Sequence, residues 1–188
     1  MRLTRSTLTI AALCLAPFAG LFAVAVAGTP LPGARSSSDM VKRGEYLVTI
    51  AACHDCHSPK IDAQMTVDGG RLLSGRPETT WPPAQANTEV RASLDLTAWA
   101  GPWGNSYAAN LTPDPETGIG ARYTEAAFVN TIRSGKKPEG EPLLPPMPWT
   151  VYRNMTDEDL KAVYAYLTTL KPVRNFVRTA PAAVTTQD

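Results

Sequence analysis

Apolar residues recur at helical spacing in three stretches of the chain. The first runs from Val41 through Leu47 to Ile50, and Ser38 or Asp39 stands where a side chain can cap its first turn. This pattern predicts a helix that runs directly into the Cys-His-Asp-Cys-His segment at 53–57.

A second apolar stripe is carried by Phe128, Val129 and Ile132. Thr124 precedes it as a candidate N-cap, and Gly135 follows it at the position where helices commonly end. These signals predict a helix from about residue 124 to 134.

The third stretch starts with Thr156, which has Asp159 three residues later, a variant of the capping box. Its apolar positions are Leu160, Val163, Tyr164 and Leu167. Pro172 prevents this helix from extending much further. Because Gly44 in the first helix has no side chain, the last helix would approach it closely, with Tyr164 or Leu167 filling the crossing.

The chain between these helices shows no sustained alternation of apolar and polar residues, which is the pattern of a half-buried strand. There are 17 prolines, many of them in the middle of the chain, so the connections should be long and irregular. We therefore expect an all-α fold with three main helices and long irregular loops.

The N-terminus has the pattern of an export signal. Arg2 and Arg5 precede an apolar stretch at 8–27, which ends in small residues that favour cleavage after Ala27. The stretch is also about long enough to stay as a membrane anchor. In either case we expect the two arginines on the cytoplasmic side and the domain that follows the segment in the periplasm. Cys14 follows a leucine, which argues against lipidation.

Removing that segment leaves about 160 residues, enough for one domain with one core. We assign 1–27 to the signal peptide or anchor, 28–38 to a linker, 39–175 to the folded domain and 176–188 to a tail. The stretch 77–103 is longer than a compact domain needs and is assigned to an extended loop insertion. A net charge of +1 without a basic arm argues against a nucleic-acid partner.

Cys53, Cys56 and His57 form a C-x-x-C-H motif, the spacing by which a chain attaches a c-type haem. Two such cysteines can bond both vinyl groups of one porphyrin edge, and His57 then lies beneath the iron as its proximal ligand. A thioredoxin-like redox pair and half of a zinc site are the alternatives. The first needs a βαβ context, which the pattern lacks. The second needs further ligands, for which only Cys14 and His54 remain.

The opposite axial position of the iron requires a second ligand. His54 lies between the two cysteines, and the attachment geometry directs it away from the opposite haem face. Met147 stands in a Pro-Pro-Met-Pro-Trp run whose prolines would stiffen an apolar strap over the porphyrin. Met147 is therefore the predicted distal ligand, with Met155 as the second choice. The methionines without such a rigid setting are Met40 and Met65.

Two protein ligands on the iron leave no vacancy for a substrate, so outer-sphere electron transfer is the expected activity. A thioether favours ferrous over ferric iron, and burial in an apolar pocket acts in the same direction. The protein is then an electron carrier rather than an enzyme. An iron left five-coordinate would instead bind peroxide or a gas, as a haem enzyme or a sensor does.

Further motifs accompany C-x-x-C-H. They are Asn110-Leu111-Thr112-Pro113-Asp114, Thr117-Gly118-Ile119-Gly120, the predicted helix from Tyr123 to Gly135, Pro146-Met147-Pro148-Trp149, and the predicted last helix. With them the chain, from about Asp39 to Asn175, resembles the class I c-type cytochromes, in particular the monohaem domains associated with bacterial membrane-bound dehydrogenases. The resemblance implies one covalently bound haem c wrapped by helices, with His57 proximal, Met147 distal and one haem edge exposed.

The expected partners are redox proteins of a respiratory chain. Electrons would pass from a dehydrogenase or quinol-linked donor to a terminal oxidase or another cytochrome. The alternative is a subunit permanently docked in a membrane oxidoreductase complex. Many of the dehydrogenase subunits carry three haem domains, whereas this chain has one C-x-x-C-H and so one haem.

Other side chains near these motifs are candidates for supporting roles. Trp81, Trp99 and Trp103 place rings in the 77–103 stretch, which would lie on the haem, form a partner surface, or be a solvated insertion. The arginines that could pair with a haem propionate are Arg71 and Arg76, and the lysines that could steer an acidic partner are Lys136 and Lys137. For these four, a plain solvated side chain is the competing explanation.

Overall fold

The structure is a computed structural model that describes residues 35–78 and 90–177. The predicted export segment with Cys14, the loop residues around Trp81 and the tail after residue 177 lie outside the described residues. The helices are α1 (Ser37–Ile50), α2 (Cys53–His57), α3 (Glu125–Ser134), α4 (Trp149–Tyr152) and α5 (Asp157–Leu167), and the strands are β1 (Arg91–Ala92), β2 (Ala98–Gly101) and β3 (Gly104–Tyr107). A single 3-10 turn spans Ile119–Ala121.

The two later helices begin at the caps that the sequence predicts. The Thr124 hydroxyl accepts a hydrogen bond from the Ala127 amide at the start of α3, and Gly135 ends that helix in the left-handed conformation, with φ 70°. Thr156 caps α5 in the same way, by accepting from the Asp159 amide.

No helix in the described ranges is long and apolar enough to cross a membrane.

The start of α1 lies earlier than predicted, because the N-cap is Ser36 rather than Ser38 or Asp39. The Ser36 hydroxyl accepts from the Asp39 amide at 3.1 Å and donates to the Asp39 carboxylate at 2.7 Å. This reciprocal pair places Asp39 in the first turn, where its negative charge is favourable.

The crossing of α1 and α5 occurs at Gly44, as predicted. A Cβ atom on this glycine would lie 1.9 Å from the Ala162 carbonyl oxygen and 2.6 Å from the Cβ of Tyr166. Ala162 and Tyr166 therefore fill the crossing, and the expectation of Tyr164 or Leu167 is wrong. Tyr164 is directed toward α3 instead, where its ring packs on Phe128 and its hydroxyl donates to the Tyr123 carbonyl at 2.8 Å.

The core lies where α1, α3 and α5 meet. Its buried members are Leu47, Val48, Leu73, Ile119, Phe128, Ile132, Leu160, Ala162, Val163 and Leu167. Most of them are the helical apolar positions of the sequence pattern. Leu73 and Ile119 come from the loops and are almost fully buried, so these loops are packed parts of the fold.

A small antiparallel sheet corrects the expectation of an all-α fold. It has the order β1-β2-β3, and Ala98 pairs with Tyr107 while Gly101 pairs with Gly104 across a tight turn. Strands of two to four residues, rich in Ala and Gly, are too short to show an alternating pattern. The fold is thus helical with a three-stranded sheet, of which β1 and β2 lie inside the 77–103 stretch.

The loop between the sheet and α3 is held by Asn110, whose side chain is almost fully buried. Its amide group donates to the Val173 carbonyl at 2.8 Å and to the Thr117 hydroxyl at 3.1 Å. Its oxygen accepts from the amide and the hydroxyl of Thr112, at 3.0 and 2.7 Å. The Asn-Leu-Thr-Pro-Asp motif therefore anchors the segment after α5 to the body of the fold.

A second buried amide, that of Asn175, continues this anchoring. It donates to the carbonyls of Ser74 and Arg76, at 2.6 and 2.8 Å, and its oxygen accepts from the Glu78 amide at 3.1 Å. Residues 74–78 are thereby fixed beside the end of the described chain.

Candidate functional site

A cleft of about 770 Å³ opens between α1, α3, α5, the β2–β3 hairpin and the loop from residue 141 to 148. Its walls are mostly aliphatic and aromatic. Its walls include the side chains of Cys53, Cys56, His57, Met147, Tyr152 and Met155. The four residues predicted as haem ligands and attachment points therefore line one cavity.

The two cysteines reach the cleft because the chain turns sharply between α1 and α2. Ala52 adopts the left-handed conformation, with φ 55°, and α2 begins directly after it. Both cysteines are free thiols and half-buried. Burial raises the pKa of Cys53 to about 11 and raises that of Cys56 above its ordinary value. Both shifts disfavour the thiolate form.

The raised thiol pKa values argue against the thioredoxin-like alternative, and the number of ligands argues against the zinc site. A thioredoxin-type pair depends on a thiolate with a lowered pKa, which is the opposite shift. A zinc site needs four ligands, and no group of three or more His, Cys, Asp or Glu residues that could hold a metal occurs within 35–78 and 90–177.

His57 is buried, and the Ala109 carbonyl oxygen lies 2.9 Å from its Nδ1 atom. A carbonyl can only accept, so Nδ1 carries the proton and Nε2 keeps its lone pair. Burial also lowers the pKa of His57, which favours the neutral ring. A neutral imidazole with a fixed tautomer is the form that binds a metal ion.

His54, the only other histidine of the sequence, does not line the cleft. Its Nδ1 atom is hydrogen-bonded to the Ser58 hydroxyl at 2.9 Å. The Ser58 hydroxyl also accepts from the Leu73 amide, at 2.9 Å. His54 thus contacts the residue after the C-x-x-C-H motif rather than the cleft. This agrees with the expectation that it is directed away from the distal haem face.

Met147 is half-buried, packs against the core and follows a segment that hydrogen bonds tie to the rest of the fold. The Leu143 amide donates to the Gly135 carbonyl at 2.7 Å, and the Ser106 hydroxyl donates to the Pro145 carbonyl at 2.5 Å. The Met147 amide itself donates to the Leu144 carbonyl. These bonds fix the strap between α3 and the sheet, with its methionine in the cleft wall.

The other methionines differ in their access to the cleft. Met155 also lines the cleft, so it is the alternative to Met147 as the distal ligand. Met40 packs on the core outside the cleft wall, and Met65 lies in a surface loop in the left-handed conformation.

Sequence reasoning missed Tyr152, whose hydroxyl donates at 2.6 Å to the Ala51 carbonyl. This bond joins α4 to the turn that precedes Cys53, and burial raises the pKa of Tyr152 to about 12. No local signal marks this role, because the two partners are 101 residues apart. The hydroxyl therefore stays protonated as a donor throughout the neutral range.

The β2–β3 hairpin also contributes to the cleft. Trp99 and Trp103 stand in its wall, which favours the prediction that this stretch lies over the site. Asn105 lines the cleft too, and its buried side-chain oxygen has no hydrogen-bond partner within the described residues.

The candidate charged residues are placed unevenly. Arg71 pairs with Asp68 at 2.9 Å and lies outside the cleft wall. Arg76 is buried, with its guanidinium 5.8 Å from the centre of the Tyr107 ring, and that ring does line the cleft. Of the lysines, Lys136 is exposed, and Lys137 lines the cleft and pairs with a glutamate at 2.9 Å.

The donor set fits a covalently bound haem. Two cysteine side chains, an imidazole with a free nitrogen and a thioether from a separate strap line a cleft whose volume suits a large flat ligand. A buried polar oxygen at Asn105 gives the same cleft one unfilled polar position.

No protein-family model matches the chain. The chain is 36% identical over 144 residues to a subunit of nicotinate dehydrogenase from Pseudomonas putida, a match that covers 76% of this chain and 10% of that protein. It is 34% identical over 146 residues to the fructose dehydrogenase cytochrome subunit of Gluconobacter japonicus, covering 77% and 24%. It is 35% identical over 132 residues to the gluconate 2-dehydrogenase cytochrome c subunit of Pantoea cypripedii, covering 70% and 23%.

Helices around an apolar cleft that holds the C-x-x-C-H side chains define the class: the chain is a c-type cytochrome. More particularly, it resembles the cytochrome domains of dehydrogenase subunits, which confirms the resemblance drawn from the sequence motifs. The chain spans about a quarter or less of the length of these relatives.

Proposed function

We propose that the protein is an exported monohaem c-type cytochrome that carries single electrons by outer-sphere transfer. Its donor would be a dehydrogenase or a quinol-linked protein, and its acceptor a terminal oxidase or another cytochrome. The observation that carries this proposal is the convergence of Cys53, Cys56, His57 and Met147 on one apolar cleft.

Each of these residues has a distinct role in the proposal. Cys53 and Cys56 would hold one haem c through two thioether bonds. Nε2 of His57, oriented by the hydrogen bond from Nδ1 to the Ala109 carbonyl, would bind the iron, and Sδ of Met147 would be its second protein ligand. A haem held by these residues would supply one-electron redox chemistry.

The surrounding residues tune that chemistry without taking part in a bond-making step. Apolar side chains of α1, α3 and α5 exclude water from the cleft and disfavour the extra positive charge of the ferric state. The Met147 thioether acts in the same direction, so both raise the reduction potential. Because His57 and Met147 would both bind the iron and leave no place for a substrate, we propose that the protein is an electron carrier and not an enzyme.

A second candidate function is that of a permanently docked subunit of a membrane oxidoreductase complex. It is favoured by the three relatives named above, which are subunits of dehydrogenases. Both candidate functions include a periplasmic location, an export or anchor role for residues 1–27, and a domain from 39 to 175. Copurification with a dehydrogenase under mild detergent supports docking, and recovery as a lone monomer supports the free carrier.

Replacing the proposed distal ligand tests the electron-carrier function. In Met147→Ala the sulfur-to-iron charge-transfer band in the near infrared should disappear, and the reduction potential should fall by about a hundred millivolts or more. Met155→Ala is the matched control, because it removes a thioether from the same cleft. If Met155→Ala instead loses the band and lowers the potential, Met155 is the distal ligand. A high-spin ferric spectrum in the wild type would reject the carrier in favour of a haem enzyme or gas sensor.

A further inference from the structure

Lys60 follows the C-x-x-C-H motif by three residues, and backbone oxygens surround its ammonium group. Nζ donates to the Ser58 carbonyl at 2.6 Å, to the Asp55 carbonyl at 2.9 Å and to the His54 carbonyl at 3.2 Å. A fourth carbonyl, that of Asp95 in the turn between β1 and β2, lies at 3.4 Å. The three N–H donors of the ammonium therefore have partners within one small cage.

The cage forms because α2 is only five residues long. The last four carbonyls of a helix have no partner within that helix, and in α2 these are most of the carbonyls it has. Lys60 supplies donors to two of them and to the carbonyl of the residue that follows the helix. A positive charge at this end of a helix is also favourable.

The main chain at Lys60 is held independently of its side chain. Lys60 pairs with Val67 in an isolated antiparallel bridge, and the carbonyl of the buried Pro59 accepts from the Asp68 amide at 2.8 Å. Removing the ammonium therefore leaves the path of the chain in place. Any effect on the turn then comes from the loss of the carbonyl contacts.

We propose that Lys60 is a positioning residue for the haem-attachment turn. Its ammonium fixes the peptide groups before and after Asp55 and the one after Ser58, and so sets the directions in which Cys56 and His57 leave the backbone. Through Asp95 it also ties the turn to the sheet whose hairpin forms a wall of the cleft. Lys60 does not itself line the cleft. The proposal rests on the proposed function, since these directions matter for a haem held there.

Loss of the ammonium has two consequences. The peptide groups on either side of Asp55 lose their bonds to the ammonium and keep only their backbone bonds, so the orientation of the His57 ring becomes less well defined. A positive charge beside the C-x-x-C-H turn also disappears, which would favour the ferric state of a haem held there and lower its reduction potential. The first consequence depends on the carbonyl contacts, whereas the second depends on the charge alone.

Three variants of the full, haem-loaded protein separate these effects. Lys60→Met keeps the apolar stem and removes the ammonium, and Lys60→Arg keeps a charge and donors. Lys42→Met is the control, because it removes one charge from an exposed position on α1. The measurements are the hyperfine-shifted proton signals of the His57 ring in the oxidised protein, the reduction potential, and hydrogen exchange at the Ser58 amide, which donates to the His54 carbonyl.

In Lys60→Met we expect displaced His57 ring signals, a lower potential and exchange at Ser58 faster by about tenfold or more, since charge-assisted bonds are lost. Lys60→Arg should move all three back toward the wild type, and Lys42→Met should leave the ring signals unchanged. Wild-type ring signals in Lys60→Met would overturn the proposal. A second measurement needs no variant and uses the wild type alone. If the ammonium protons of Lys60 exchange with water as fast as those of Lys42, the proposal is also overturned. Absence of covalent haem in the wild type would reject the proposed function itself.

Discussion

Substituting alanine for Gly44 tests the packing of α1 against α5. The new Cβ would lie 1.9 Å from the Ala162 carbonyl oxygen, whereas real Cβ atoms essentially never approach closer than 3.0 Å. The obstacle is helix backbone, which cannot rotate away as a flexible side chain would. The two helices must therefore separate locally by about 1.1 Å to restore an acceptable contact.

The separation weakens the packing of the buried side chains on both helices, among them Leu47, Val48 and Leu160. A gap of about 0.5–1 Å already forfeits a quarter to a half of the attraction between facing atoms. Spread over about four buried side chains, this loss and the strain of overpacking amount to about 4 kcal/mol. Alanine recovers about 1 kcal/mol through its higher helix propensity. The expected net loss of unfolding free energy is about 3 kcal/mol.

Denaturant unfolding followed by far-UV circular dichroism measures this loss, with the linear extrapolation applied to Gly44→Ala and the wild type. Gly69→Ala is the matched control, because a Cβ at Gly69 meets no atom within 4 Å. Its unfolding free energy should equal that of the wild type or rise slightly. A Gly44→Ala protein as stable as the control would refute the close helix crossing.

Three other substitutions follow from the geometry. Asn110→Ala should lower the unfolding free energy by about 2–4 kcal/mol, since buried partners lose their bonds, whereas the exposed Asn154→Ala should change it by less than about 0.5 kcal/mol. Asp159→Asn should destabilise the protein at neutral pH more than Asp157→Asn, whose carboxylate is far more exposed, and denaturant unfolding at several pH values checks this. Cys53→Ala should reduce the covalently attached haem recovered after denaturation in acid, as measured by mass spectrometry.

The pH dependence of the Asp159 contribution has a defined sign. Hydrogen bonds from Arg43, at 2.9 and 3.3 Å, hold the pKa of Asp159 below its ordinary value. A lowered pKa in the folded state means that the stabilisation is fully present above the unfolded pKa of about 3.9. It is lost as the pH falls through the folded pKa. The wild type and Asp159→Asn should therefore converge in stability on acidification.

Each of these expectations has a contrary outcome. Equal losses in Asn110→Ala and Asn154→Ala would contradict the anchoring role of the buried amide. A gap between the wild type and Asp159→Asn that widens on acidification would contradict the ion pair with Arg43. Full retention of covalent haem in Cys53→Ala would show that this thiol is not an attachment point.

The helices were accessible from the sequence because their signals are local. Thr124 and Thr156 lie three residues before the amides they cap, and apolar residues at helical spacing follow each of them. The start of α1 was harder to place, because the pattern indicated Ser38 or Asp39 as the cap although two further serines precede them. The bonds between Ser36 and Asp39 make Ser36 the cap.

The sheet and the crossing depended on contacts that no local pattern encodes. β2 contributes only four residues, and its pairing with β3 buries two small alanines rather than an alternating apolar face. Gly44 marks a close approach, but which residues fill it depends on the rotation of α5. Tyr164 faces α3 for that reason, and Tyr166 takes the crossing.

The residues of the candidate site also divide into those with a local sequence signal and those without one. Cys53, Cys56 and His57 are recognised by their spacing alone, whereas Met147 is brought to the cleft by a strap 90 residues later in the chain. The bond from Tyr152 to Ala51 and the carbonyl cage around Lys60 arise only when the chain has folded. Supporting roles of this kind leave no signature in residue spacing.

The most direct test of the central claim is a diffraction measurement of the oxidised protein, with anomalous scattering at the iron edge to locate the metal. The account predicts one iron in the cleft, bound by Nε2 of His57 on one side and Sδ of Met147 on the other, with both cysteine sulfurs bonded to the porphyrin. Water, Met155 or an empty position across from the imidazole would contradict it.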